Sequence, residues 1–123
     1  MARPELCTAF EVSFSVSASG SEYLAADEAP TRAEVDALPG RVLLEFGTHW
    51  CPICQAIQPR VGELMQARPD VRRIKIEDGP GLPLGRSFKV KFWPYFVFLK
   101  DGVAVRELVR PSVDQLKEAF QAF

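Results

Sequence analysis

The segment VLLEFGTHWCPIC, residues 42–54, constrains this chain more than any other. It opens on an apolar run long enough for a buried strand and too short for a helix. It closes on Cys51-Pro52-Ile53-Cys54, and proline suits a first helical position, where its missing N–H has no partner to lose. A strand that hands over to a helix in this way leaves unpaired backbone N–H groups and the positive helix end at the junction. Both stabilise a thiolate, and a Cys-x-x-Cys pair so placed lowers its first thiol from ~8.5 to ~7 or below. The spacing sets Cys54 one helical turn from Cys51, near enough to attack a disulfide formed there. On this reading Cys51 is the exposed nucleophile and Cys54 the more buried resolving thiol.

The flanking sequence supplies further elements. Phe10, Val12, Phe14 and Val16 alternate with Glu11, Ser13, Ser15 and Ser17, the period of a half-buried strand. Residues 17–21, SASGS, read as a flexible break. Thr31 and Glu34 form a capping box that opens a helix through Leu38, ended by Pro39-Gly40. The helix beginning at Cys51-Pro52 carries Ile57, Val61, Leu64 and Met65 on one face, with Pro59 expected to kink it. VRRIKIE, 71–77, is a strand, and a short helix is expected around Leu84–Phe88. YFVFL and VAVRELV flank Lys100-Asp101-Gly102, a hairpin signal. Ser112 and Gln115 cap a last helix with Val113, Leu116, Phe120 and Phe123 on one face. Strands alternating with helices imply parallel pairing with crossovers, and the hairpin adds an antiparallel edge.

Composition narrows the classes. A chain of 123 residues with 47% hydrophobic and 25% charged residues fits one globular domain. The net charge of -1 gives no reason to expect nucleic acid or an anionic membrane as partner. No run approaches the ~20 apolar residues of a membrane span. Three cysteines cannot all be paired within one chain. Glu5 and Glu11 interrupt the N-terminal region in a way unlike a secretory signal, and few cysteines point to a reducing cytosol, so a cytoplasmic location is expected.

Two blocks together carry a resemblance. LLEFGTHWCPICQAIQP, with Pro59 five residues after the second cysteine, and Trp93-Pro94-Tyr95 followed by FVFLKDG resemble, in that order, the active-site and cis-proline blocks of the thioredoxin superfamily. The likeness covers about residues 23–123, leaving 1–22 as an N-terminal extension that contributes an extra strand. It implies an α/β thioredoxin-like fold, a central mixed sheet with helices on both faces. It also implies a protein-disulfide reductase in which Cys51 and Cys54 cycle between a dithiol and a redox-active disulfide. Glu45 stands where the family has a buried acid, usually aspartate, and is assigned the Cys54 proton; burial disfavours the charged form of such a group. Trp50, Trp93 and Pro94 are assigned to substrate binding, with a cis Trp93–Pro94 peptide facing Cys51 and offering the Trp93 backbone to an extended client. The pair encloses Pro52-Ile53, closer to the Cys-Pro-x-Cys of glutaredoxins than to the usual Gly-Pro.

Expected partners are disulfide-containing proteins and an external reductase or low-molecular-weight thiol as electron donor. No cofactor is expected, because the chain lacks a GxGxxG signature, and no metal. Two competing readings stay open here. One is a redox-silent module of the same fold; the other is a zinc site from Cys7, His49, Cys51 and Cys54. Local packing of Trp50 and an inward turn of Trp93 onto Phe92 and Phe96 compete with their substrate roles.

Overall fold

The structure, a computed structural model, describes residues 22–123. The expected strand over 10–17, and Cys7, lie outside the described residues. Five strands and four helices follow in the order β1 (Tyr23–Leu24), α1 (Arg32–Asp36), β2 (Arg41–Gly47), α2 (Pro52–Gln66), β3 (Val71–Glu77), α3 (Pro83–Ser87), β4 (Tyr95–Lys100), β5 (Val103–Val109) and α4 (Val113–Ala122). The strand order is β1-β3-β2-β4-β5. β1 and β2 each pair with β3 in parallel, and β4 runs antiparallel to β2 and β5. This is the mixed sheet that the alternation of strands and helices predicts.

Period-two alternation divides the strands between two cores. Val42, Leu44 and Phe46 of β2 join Ile74, Ile76, Val97 and Leu99 on one face, covered by Val35 and Leu38 near α1 and by Leu84 and Phe88 near α3. Leu43, Phe96 and Phe98 face the other way, against Val61 of α2 and Leu116, Ala119 and Phe120 of α4. Helices therefore cover both faces. Each helix is opened by the device its sequence carries. Thr31 and Ser112 form complete capping boxes with Glu34 and Gln115. Such a cap is worth ~1 kcal/mol against alanine. α2 continues through Pro59, from Pro52 to Gln66.

The hairpin turn reduces to two residues, Asp101 (φ 51) and Gly102 (φ 84). Two left-handed residues give the turn whose twist matches that of the flanking strands. Asp101 also ties the turn to the loop before β2, through Gly40 N–H to Oδ1 (2.8 Å) and its own N–H to the Gly40 carbonyl (2.9 Å). Among the described residues no helix is long and apolar enough to cross a membrane.

β1 has no counterpart in the sequence reading. Two residues carry no measurable periodicity, and Tyr23-Leu24 become a strand only because the edge of β3 accepts them at Lys75 and Ile76. That register matters for the site.

Candidate active site

Cys51 ends the loop after β2 and is the N-cap of α2. Its Sγ accepts the backbone N–H of Cys54 at 3.3 Å. This is the geometry expected of a sulfur at a helix start, where N–H groups have no partner within the helix. Both cysteines are free thiols. Burial works against the Cys51 thiolate, but hydrogen bonds from the Cys54 thiol and from the Cys54 and Ile53 backbone, with the charge of Arg110, outweigh it and pull its pKa below 9.0. Cys54 moves the other way. Burial, and then the neighbouring Cys51, push it up to about 11 against the opposing pull of the Thr48 backbone and the Tyr23 hydroxyl. One sulfur is prepared to ionise and the other to hold its proton.

Cys51 is not the exposed thiol expected from the sequence: both cysteines are buried, although Cys54 is the more buried of the two, as expected. Cys51 is 7% exposed and Cys54 1% exposed. Cys51 is shielded because its sulfur turns back onto the first turn of α2 to collect those N–H groups. Around it the surface is apolar and open. Trp50 is 60% exposed and Ile53 44% exposed. The Trp50 and Trp93 rings meet edge to face, with centroids 5.7 Å apart. Trp93 therefore does not turn inward onto Phe96. Its indole N–H donates to Asp78 Oδ2 at 2.9 Å, which holds the ring at the rim. The Trp93–Pro94 peptide is cis. The Trp93 carbonyl, expected to be free for a client, already accepts from Arg110 Nε at 2.8 Å. One lone pair of that oxygen remains for a client. His49 is exposed, and its carbonyl accepts from the Gln55 side chain at 2.7 Å.

Glu45 lies fully buried in β2, on the face that turns toward α2. Arg73 binds one of its oxygens through Nε (3.0 Å) and Nη2 (2.7 Å), and Gln58 Nε2 donates to the other at 2.6 Å. Gln58 then links outward. Its Oε1 accepts from Arg73 (2.7 Å) and from Lys75 Nζ (2.8 Å), and its amide nitrogen donates also to the Cys54 carbonyl (3.1 Å). A buried charge pair requires such satisfaction of its remaining donors and acceptors. The network joins the buried Glu45 to the backbone of Cys54.

The sequence reading named Glu45 but not Arg73, Lys75, Gln58, Tyr23 or Arg110. Three of these were within reach. In VRRIKIE, Arg73 and Lys75 share a strand face by parity. Gln58 sits one turn beyond Cys54 on the same helix face. Tyr23 and Arg110 come to the site only through tertiary register.

With that geometry in place, comparison with known proteins gives a consistent result. Residues 24–122 match the family described as thioredoxin. The structure superposes on that of reduced thioredoxin 2 from Pseudomonas aeruginosa PAO1 with a TM-score of 0.74 and 53% identity, covering 83% of this chain and 94% of that one. It is also similar to oxidised mitochondrial thioredoxin 3 from Saccharomyces cerevisiae, with a TM-score of 0.69 and 25% identity over 87% of this chain and 99% of that one. Thioredoxin-2 of Pyricularia oryzae is 30% identical over 66% of this chain, and the match spans 47% of its length. The matched chain thus spans about half of that curated relative. The chain belongs to the thioredoxin family of thiol–disulfide oxidoreductases.

Proposed function

We propose that this protein reduces disulfides in client proteins through a mixed-disulfide intermediate on Cys51. The observation that carries the reading is the opposed tuning of the two thiols across one helical turn. The Cys51 thiolate attacks one sulfur of a client disulfide, and the other client sulfur leaves as a thiolate. Cys54 then loses its proton and attacks Cys51 Sγ. The second client sulfur departs, and a Cys51–Cys54 disulfide remains. Two electrons have passed from the dithiol to the client. An external reductase or a low-molecular-weight thiol returns them with two protons.

Glu45 receives the Cys54 proton in this scheme and passes it to the departing client thiolate. Its burial and its link through Gln58 to the Cys54 backbone support the role. The exposed Trp50 and the half-buried Trp93 form the apolar rim on which a client segment rests, while Pro94 is itself buried, and the reaction takes place in the reducing cytoplasm.

Insulin disulfide reduction driven by dithiothreitol tests the reading. Both Cys51→Ser and Cys54→Ser should abolish turnover, and Cys54→Ser alone should accumulate client mixed disulfides. Turnover that survives Cys51→Ser, or equal trapping by both variants, refutes it.

A further inference from the structure

Gly47 is the last residue of β2, and the space over its Cα is shared by two groups from elsewhere. A Cβ at this position would lie 2.8 Å from Cys54 Sγ and 3.0 Å from the Tyr23 hydroxyl oxygen. The glycine lets both side chains close over the strand, so the phenol and the resolving sulfur face each other across one missing methyl group. Sheet register brings Tyr23 there. Tyr23 pairs with Lys75, and Lys75 pairs with Glu45, so the three residues form a row on one face beneath α2. The Lys75 ammonium sits over the Tyr23 ring, 4.2 Å from its centroid.

The hydroxyl itself is anomalous. It is buried and makes no hydrogen bond of good geometry among the described residues; the one group it is placed to bond is the Cys54 sulfur. A buried polar group without a partner costs stability. In the dithiol state its neighbour is the neutral Cys54 thiol, a poor acceptor. During resolution that sulfur becomes a thiolate, a far better one.

We propose that Tyr23 is a positioning residue for the resolving step, its hydroxyl donating a hydrogen bond to the Cys54 sulfur as that sulfur becomes a thiolate. The proposal rests on the reading of Cys54 as the resolving thiol and adds to it a phenol that acts only in that step. The charged and titratable groups around this pair are Cys51 at the N-cap of α2, Glu45 and Arg73 from the neighbouring strands, Lys75 over the ring, and Glu22, which acts on Lys75. Burial also holds the Tyr23 phenol well above its ordinary range, so the phenol keeps its proton and remains a donor wherever the enzyme works.

The test uses the full chain. In a Cys51→Ser background, alkylation of Cys54 by iodoacetamide is followed by mass spectrometry against pH, with and without Tyr23→Phe. Loss of the hydroxyl should cut the reactive thiolate fraction at neutral pH about tenfold, the weak end expected of a hydrogen bond to a charged group. A fluorotyrosine at position 23, a more acidic donor, should shift the profile the opposite way. In the parent chain, attack of Cys54 on a Cys51–thionitrobenzoate disulfide should slow by the same factor in Tyr23→Phe, while the first reaction at Cys51 and the thermal midpoint hold or rise. A structural role for Tyr23 cannot produce opposite shifts from the two substitutions. A Cys54 profile unmoved by either substitution overturns the proposal. Failure of Cys54→Ser to trap clients overturns the dithiol reading instead, and the Cys54 profile still reports on Tyr23.

Discussion

Replacing Arg73 by leucine removes the guanidinium from a carboxylate that has no access to solvent. Glu45 is 0% exposed and the Arg73 side chain 10% exposed. After Arg73→Leu, Glu45 keeps only its bond from Gln58 and the field of Lys75, whose ammonium reaches Gln58 rather than the carboxylate. Breaking a buried pair from one side costs about 3–5 kcal/mol. The nearby ammonium places this case at the lower end, about 3 kcal/mol, a large share of a total stability of roughly 5–15 kcal/mol. Glu45→Leu should cost less, about 1–2 kcal/mol, because Arg73 retains the Gln58 carbonyl and lies closer to water. The double leucine variant should recover most of the Arg73→Leu loss, since no buried charge is then stranded. Urea unfolding followed by far-UV circular dichroism measures all three. An Arg73→Leu cost below about 1 kcal/mol, or a larger cost for Glu45→Leu, refutes the argument that the carboxylate is the member that cannot be left alone.

Gly102→Ala should destabilise the hairpin strongly, because its φ is +84° and a Cβ would lie 1.9 Å from the Asp36 carbonyl oxygen; thermal unfolding checks this, and an unchanged midpoint contradicts it. The two thiols make the stability of the reduced protein depend on pH in opposite directions. Between the lowered pKa of Cys51 and its ordinary value of 9.0 the unfolded chain binds more protons, so stability rises with pH. From 9.0 to about 11 the folded Cys54 holds a proton that the unfolded chain has lost, so stability falls. Subtracting the curve of a Cys51→Ser/Cys54→Ser variant isolates both slopes, and a flat difference refutes the tuning. Asp78→Ala should release the Trp93 ring from the rim and change client preference more than it changes the alkylation rate of Cys51; an equal loss for every client would contradict that.

Local chemistry carried much of this fold in legible form. The apolar run at 42–47, Pro52 at a helix start, the Thr31 and Ser112 caps and the Asp-Gly turn are short-range signals, and each element formed where its signal stands. What the sequence concealed is pairing across strands. Glu45 alone in an apolar strand advertises a buried acid, but its partner is chosen by the register that sets β2 beside β3. Tyr23 is the extreme case. Nothing in Tyr23-Leu24 announces a strand, and its proximity to Cys54 depends on a crossover, a parallel register and the absence of a side chain at Gly47. Arg110 reaches the Trp93 carbonyl from just beyond β5, in a left-handed conformation (φ 44) that no local pattern foretells.

Both tryptophans of the chain stand at the rim, ring against ring, beside the reactive sulfur. The intrinsic indole emission of this protein is therefore a local signal. It originates from Trp50, the residue before Cys51, and from Trp93 packed against it, with one indole N–H polarised by the Asp78 carboxylate and the other ring turned to water. Oxidation of the dithiol, or arrival of a client, should register in the spectrum with no tag attached. The same placement makes emission a poor witness to global unfolding, because a loosened rim would dim or shift it while the two cores remained packed.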